Sequence, residues 1–319
     1  MKRLVIALAA LVVATAHSQA PSWPARPVKM VVPFPAGGPT DVLTRALSDR
    51  LSQRLSQPVV VENRPGAGGT IGADLVAKSA PDGYTLVMAT GSTHSVGPHL
   101  GKVPYDPQKD FTPVVYVGYA TNILLVSPTL GVSSVRELIE LAKREPGKLN
   151  YATSGIGSVA HLTSEMFASM AGVKLTHVPY KGTQLSITDL ISGQVAILFD
   201  NVMTARPHIE QKRLKGIAIS SRTRSSIVPD IPTVDESGLP GFDSWNYFGI
   251  FGPAKLPPAV VQRVNTEMNR VLADPAIRER FHTLGFEITG GTPADFARVI
   301  ESESRRWSKV IRDANVKPE

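Results

Sequence analysis

The feature that most limits the folds open to this chain is a repeated handover from a short apolar strand, through a glycine-bearing turn, into a helix. Val28 to Phe34 reads as a strand and Pro35 to Pro39 as a turn, and from Thr40 to Ser56 the residues Leu43, Leu47, Leu51 and Leu55 recur at the i, i+4 spacing of one helix face. The unit recurs at 59–62, 66–69 and 70–79, and strand 84–89 leads into a loop at 90–94. A second set follows a strand at 123–126. It comprises helix 134–144, strand 149–153, helix 159–171, strand 175–179, helix 186–192 and strands 195–199 and 215–220. Such alternation predicts an α/β protein with largely parallel sheets covered by helices. Residues 246–251 form an aromatic-rich strand returning to the first unit, and three helices near 258–273, 275–284 and 293–314, each opened by proline, complete the chain. Two lobes are expected: 21–122 plus 251–319, and 123–250 with the hinge passages. Two connecting passages make a hinge rather than a loose tether.

Before the first strand, Lys2 and Arg3 precede an apolar run from Leu4 to Ala14 and then small residues, the pattern of a secretory signal peptide within residues 1–20. Cleavage after Ala16 is expected over the competing site at Ala20, which would leave Pro21 at the new terminus. The run is shorter than the ~20 residues that span a bilayer. Losing Lys2 and Arg3 lowers the net charge from +7 to +5, because the leader holds no acidic residue. The remaining basic residues are dispersed among acids, so no nucleic-acid partner is expected. With no cysteine in 319 residues, thiolate metal sites and cysteine nucleophiles are excluded.

Three turns join a strand to a helix: Pro35 to Asp41, Gly66 to Thr70, and Ser154 to Ser158. Glycine there lets backbone N–H groups approach a ligand, and the helix N-terminus adds partial positive charge, so an anion suits the place. Thr40, Ser154 and Ser158 add hydroxyls; any one turn alone reads more readily as glycine for its dihedrals with Ser or Thr as an N-cap, and it is three in one chain that favour an anion site. Tyr180 to Thr183 and Asp200-Asn201 end neighbouring strands on the same edge, where open sheets place their crevice. Asp200 would either accept hydrogen bonds from a ligand or cap the following segment. The spacing of Gly66, Gly68 and Gly72 misses the dinucleotide fingerprint, because Ile71 stands where its third glycine belongs. No nucleophile elbow or zinc-protease motif occurs, so no cofactor or metal is expected. A hydrolase built on Ser158 and His161 is the remaining enzyme alternative, and a sensor ectodomain partner is another.

With these motifs placed, the chain resembles the extracytoplasmic receptors of the tripartite tricarboxylate transporter family, also called Bug-type receptors. The resemblance rests on VVPFPAGGPTD (31–41), VENRPGAGG (61–69), APDGYTL (80–86), GSTH (91–94), SGIGS (154–158), PYKG (179–182) and IPT (231–233) in consistent order. It implies a type II periplasmic-binding fold: two α/β lobes joined by two crossing strands, with the ligand cleft between them. It further implies a periplasmic solute-binding protein without catalysis, which delivers a small carboxylate to membrane permease subunits; a monomer is the default expectation. By position, the resemblance assigns the ligand to Phe34, Gly37, Gly38, Thr40 and Asp41 on one lobe and Ser154, Gly157, Ser158, Tyr180 and Asp200 on the other. Gln184 and Leu185 stand where that family usually has small residues.

Overall fold

The computed structural model describes residues 23–317; the expected leader and its cleavage site lie outside them. Two sheets share one long strand. The first has the order β2 (Val59–Asn63), β1 (Val28–Val32), β3 (Thr85–Thr90), β9 (Trp245–Pro253), β4 (Phe111–Val126), with β10 (Phe286–Ile288) on the other side of β4. The second runs from the far half of β4 through β7 (Ile197–Asn201) and β5 (Asn150–Thr153) to β6 (Thr176–Pro179), with β8 (Lys215–Ile219) also on β4.

The parallel expectation holds for β1 with β2 and β3 and for β5 with β6 and β7. It fails around β4, which is antiparallel to all four of its partners. The reason is topological, since β4 carries the chain out of the first sheet and β9 carries it back. β4 was expected only as 123–126, yet it begins at Phe111, because Pro113 and two register shifts against β9 break the alternation that would mark a strand. Its last pair in the first sheet is Thr121 with Trp245, and its first in the second is Asn122 with Asn201. All of β9 from Trp245 onward lies in the first sheet, so the return passage sits at Ser244, upstream of residue 250. Buried Ser220 stitches the two passages, donating from Oγ to Ser244 O (2.6 Å) and accepting from Asn122 N (3.1 Å).

Helices cover both faces of each sheet. In β4, Ile123 and Leu125 pack toward α6 (Thr183–Ser192) and α7 (Val202–Glu210), while Leu124 and Val126 pack toward α4 (Val135–Arg144) and α5 (Val159–Ala171). The period-2 alternation of a strand thus feeds two cores. In the first lobe, α1 (Pro39–Leu55) and α8 (Pro258–Leu272) cover one face; α2 (Thr70–Ala77) and the last helix cover the other. Leu43, Leu47, Leu51 and Leu55 of α1 are all buried, each contributing roughly 1.5–3 kcal/mol. α3 (Gly97–Leu100), α9 (Pro275–Thr283) and α10 (Pro293–Asp313) complete the element list. α7 was not foreseen, because Pro207 interrupts its pattern. Nor was the π-type turn at Ser92–Val96, where a loop was expected.

Candidate functional site

Several strands deliver helix N-termini to one place between the sheets. β1 passes through the turn at 33–38 into α1, β6 through 180–182 into α6, and β7 directly into α7. The N-caps of these three helices, Gly38, Gly182 and Asn201, make no side-chain capping bond. Their first-turn N–H groups are therefore not claimed by a cap, and each helix end carries partial positive charge. A cavity of about 180 Å³ lies among them. The first lobe lines it with Phe34, Gly38 and Thr40, the second with Ser154, Thr183 and Asp200, and the crossing strands with Asn122 and Asn246. Val159, Leu185, Phe199 and Phe248 make much of the remaining wall apolar, and Lys181 and Asp200 are its charged members.

Of the residues assigned by sequence, Phe34, Gly38, Thr40, Ser154 and Asp200 line this cavity. The other five stand behind it or beside it. Asp41 is buried, and its carboxylate accepts from Gly37 N (2.9 Å), Arg45 Nε (3.0 Å) and Asn63 Nδ2 (2.9 Å). Burial opposes its charge, but those bonds outweigh it and hold its pKa below the usual carboxylate value. Asp41 and Gly37 therefore fix the shape of the first turn. Ser158 Oγ accepts from His161 N (3.1 Å) as the N-cap of α5. Gly157, at φ +75°, packs its backbone close to Gly97. Tyr180 donates to Asp189 Oδ2 (2.5 Å) and lies in the adjoining cleft mouth rather than the main cavity.

Asp200 sits at the cavity wall and ties the starts of α6 and α7 together, while the N-cap position of α7 belongs to Asn201. Its carboxyl lines the cavity and also accepts from Thr183 Oγ1 (3.4 Å) at the start of α6 and from Thr204 Oγ1 in α7. Burial pushes its pKa up to about 7, against the hydrogen bonds from Thr204, Asn201 and Thr183. Asn122, Asn246 and Phe248 were missed. Their signal was a strand crossing between lobes, which local periodicity does not reveal.

The residues of the hydrolase alternative are engaged elsewhere. His161 Nδ1 accepts from Gly157 N (3.4 Å) and its ring stacks on His177 at 4.2 Å, so its side chain is not bonded to Ser158 Oγ. His94 is buried in an aromatic nest, stacked on Phe251 at 4.0 Å, with Nδ1 bonded to Thr93 Oγ1 (2.8 Å). Burial lowers both imidazoles to about 3, with His177 adding to the shift at His161.

The second glycine turn serves the seam between lobes. Gly68, at φ +62°, faces the Ile156 carbonyl so closely that an added Cβ would lie 2.5 Å from its oxygen. Nearby, Gly182 abuts Pro35, where a Cβ would meet Cγ at 2.8 Å. Gln184 Nε2 donates across the cleft to Gly37 O (3.1 Å), and Val159 N donates to Ser92 Oγ (3.1 Å). The lobes are thus in contact at the cleft mouth.

Residues 43–316 match the Tripartite tricarboxylate transporter family receptor model. Among solved structures, the chain is similar to R. palustris Rpa4515 with adipate, at 37% identity and TM-score 0.90, over 93% of this chain and 100% of that one. It is similar to periplasmic binding protein BugD at 35% identity and TM-score 0.88, over 93% and 100%. It is also similar to MatC from Rhodopseudomonas palustris with bound malate, at 34% identity and TM-score 0.87, over 91% and 100%.

Proposed function

Because this chain belongs to the tripartite tricarboxylate transporter receptor family of periplasmic solute-binding proteins, we propose that it captures a small carboxylate between its lobes and hands it to membrane permease subunits. The observation that carries this reading is the convergence of three N-termini without side-chain caps, those of α1, α6 and α7, on one cavity between the sheets. Backbone N–H groups and helix ends hold an anion without an obligatory Arg or Lys. The relatives with adipate and malate support a carboxylate as that anion. At about 180 Å³ the cavity suits a small acid rather than a larger ligand.

In this reading the open form binds, the lobes bend at the Thr121–Asn122 and Ser244–Trp245 passages, and the closed form docks on the permease. Phe34, Gly38, Thr40 and Ser154 meet the carboxylate, while Gly37, Asp41, Gly157 and Ser158 hold the turns that present it. No chemistry is performed on the ligand, the protein acts as a monomer in the periplasm, and residues 1–16 are removed on export. The engagement of Ser158 Oγ as a helix cap and of His161 with Gly157 supports binding over hydrolysis.

A thermal-shift screen against small mono-, di- and tricarboxylates, amino acids and aromatic acids tests the proposal. A ligand at 100 times its Kd adds about 2.7 kcal/mol of stability. At least one carboxylate should raise the melting temperature, and replacing Gly37 by a bulky residue should remove that shift from a folded protein. No shift with any carboxylate refutes the reading.

A further inference from the structure

The two ends of the cavity differ in chemistry. One end is formed by the turn before α1 and that helix's N-terminus, with Gly38 and Thr40. At the other, where β4 crosses between the sheets and β7 ends, two carboxamides stand side by side. Asn122 and Asn201 are cross-strand partners in antiparallel register, which places their side chains on one face with Cβ atoms ~4.5–5.5 Å apart. Both line the cavity, and they are 2% and 8% exposed. Asn122 Nδ2 and Asn201 Oδ1 are buried without a hydrogen-bond partner in the protein. A buried donor and a buried acceptor left unpaired are costly, and this pair faces the same small space.

The orientation of Asn201 has a cause. Its side chain also bonds the Asp200 carboxyl, whose charged form only Nδ2 can serve, so Oδ1 is the atom left for the cavity. The α7 N-terminus beside this floor favours negative charge, but a second carboxylate would set an acceptor against Asn201 Oδ1 and a like charge against the Asp200 carboxyl, so it fits less well than a neutral group. An ammonium would satisfy Asn201 Oδ1 but leave Asn122 Nδ2 facing another donor. An uncharged group that donates and accepts satisfies both at once.

We propose that the Asn122–Asn201 pair is a subsite for an uncharged donor-and-acceptor group, a carboxamide or an alcohol. The protein would thus select monocarboxylates bearing such a group at the far end over the matching dicarboxylates. The inference rests on the carboxylate reading above, which supplies the anchor for the other end of the ligand.

Isothermal titration at pH 8, where Asp200 is charged, tests it with matched triplets of four, five and six carbons: the dicarboxylate, its monoamide and the plain monocarboxylate. The monoamide of at least one length should bind about tenfold or more tighter than both of its companions, because a site built around polar groups rejects analogues that leave them unpaired. In Asn201→Leu that preference should vanish while the plain acid still binds. Asn122→Ala is read in the same way should the first variant fail to fold, as judged by circular dichroism. A dicarboxylate that binds as well as its monoamide at every length, or a preference that survives in a folded variant, overturns the subsite and leaves the carboxylate reading standing. Failure of every triplet member to bind overturns the subsite, and the carboxylate reading falls with it only when the wider thermal-shift screen also finds no carboxylate that binds.

Discussion

Replacing Gly68 with alanine tests whether the contact at the cleft mouth is part of ligand capture. The added methyl would lie 2.5 Å from the Ile156 carbonyl oxygen, and ordinary contact begins near 3.4 Å, so the seam must open by about 0.9 Å. The obstructing atom is backbone and cannot rotate away. At that opening the two cross-cleft bonds, Gln184 Nε2 to Gly37 O and Val159 N to Ser92 Oγ, both 3.1 Å, stretch to about 4 Å and cease to be hydrogen bonds. Each contributes about 0.5–1.5 kcal/mol, so the closed form loses about 1–3 kcal/mol and the ligand Kd rises about 5- to 150-fold. The alanine also pays for φ +62°, a cost of about 1–2 kcal/mol carried by open and closed forms alike. Gly147→Ala separates the two effects, since Gly147 has φ +76° and nothing within 4 Å of an added Cβ. Titration calorimetry with a carboxylate from the screen, alongside melts of the ligand-free proteins, gives both quantities. Both variants should melt lower, and only Gly68→Ala should bind more weakly. A Kd within twofold of the parent protein in Gly68→Ala would refute the seam as part of closure.

Gln184→Ala removes one exposed cross-cleft bond, so it should raise Kd about two- to fivefold through faster dissociation, with the ligand-free melting temperature unchanged; stopped-flow release would show it. Ser158→Ala removes the α5 N-cap and should cost about 0.5–2 kcal/mol in denaturant unfolding, and ester turnover abolished by the same change would contradict the binding reading. Asp200 holds its proton up to about pH 7 when folded and only to its ordinary value near 3.8 when unfolded, so the folded state binds more protons between those values. The parent protein thus loses that stability as pH rises from about 4 to 7, and Asp200→Asn should gain relative to it across the same window; a pH-independent difference in melting temperature would refute this. His94 and His161 act with the opposite sign. Folded, they stay neutral down to about pH 3, so stability falls as pH drops from about 6.5 toward 3, and His161→Gln should flatten that slope in pH-dependent melts.

How far the fold was legible follows from where its information is stored. α5 was bounded at Val159–Ala171 and α1 to within a residue, because each carries its own apolar period and its own start signal. β4 was truncated to its last four residues because Pro113 and the register shifts belong to pairing with β9, more than a hundred residues away. The same limit governs the site. Phe34, Gly38, Thr40, Ser154 and Asp200 were readable as strand ends beside helix starts, whereas Asn122 and Asn246 lie on the crossing strands with no glycine turn or helix start beside them. Asp41 and Ser158 were readable as polar residues near the site. Only the structure separates their work on the turns from contact with the cavity.

The sequence by itself determined the strand, turn and helix alternation, the glycines at strand ends and the family resemblance, because each of these is written within a few neighbouring residues. Tertiary structure alone decided which glycine turn faces the cavity and which faces the other lobe. It alone aligned Asn122 with Asn201, and it alone raised Asp200 toward neutral pH. These depend on register, burial and approach across the cleft, which are properties of segments far apart in the chain that no local pattern encodes.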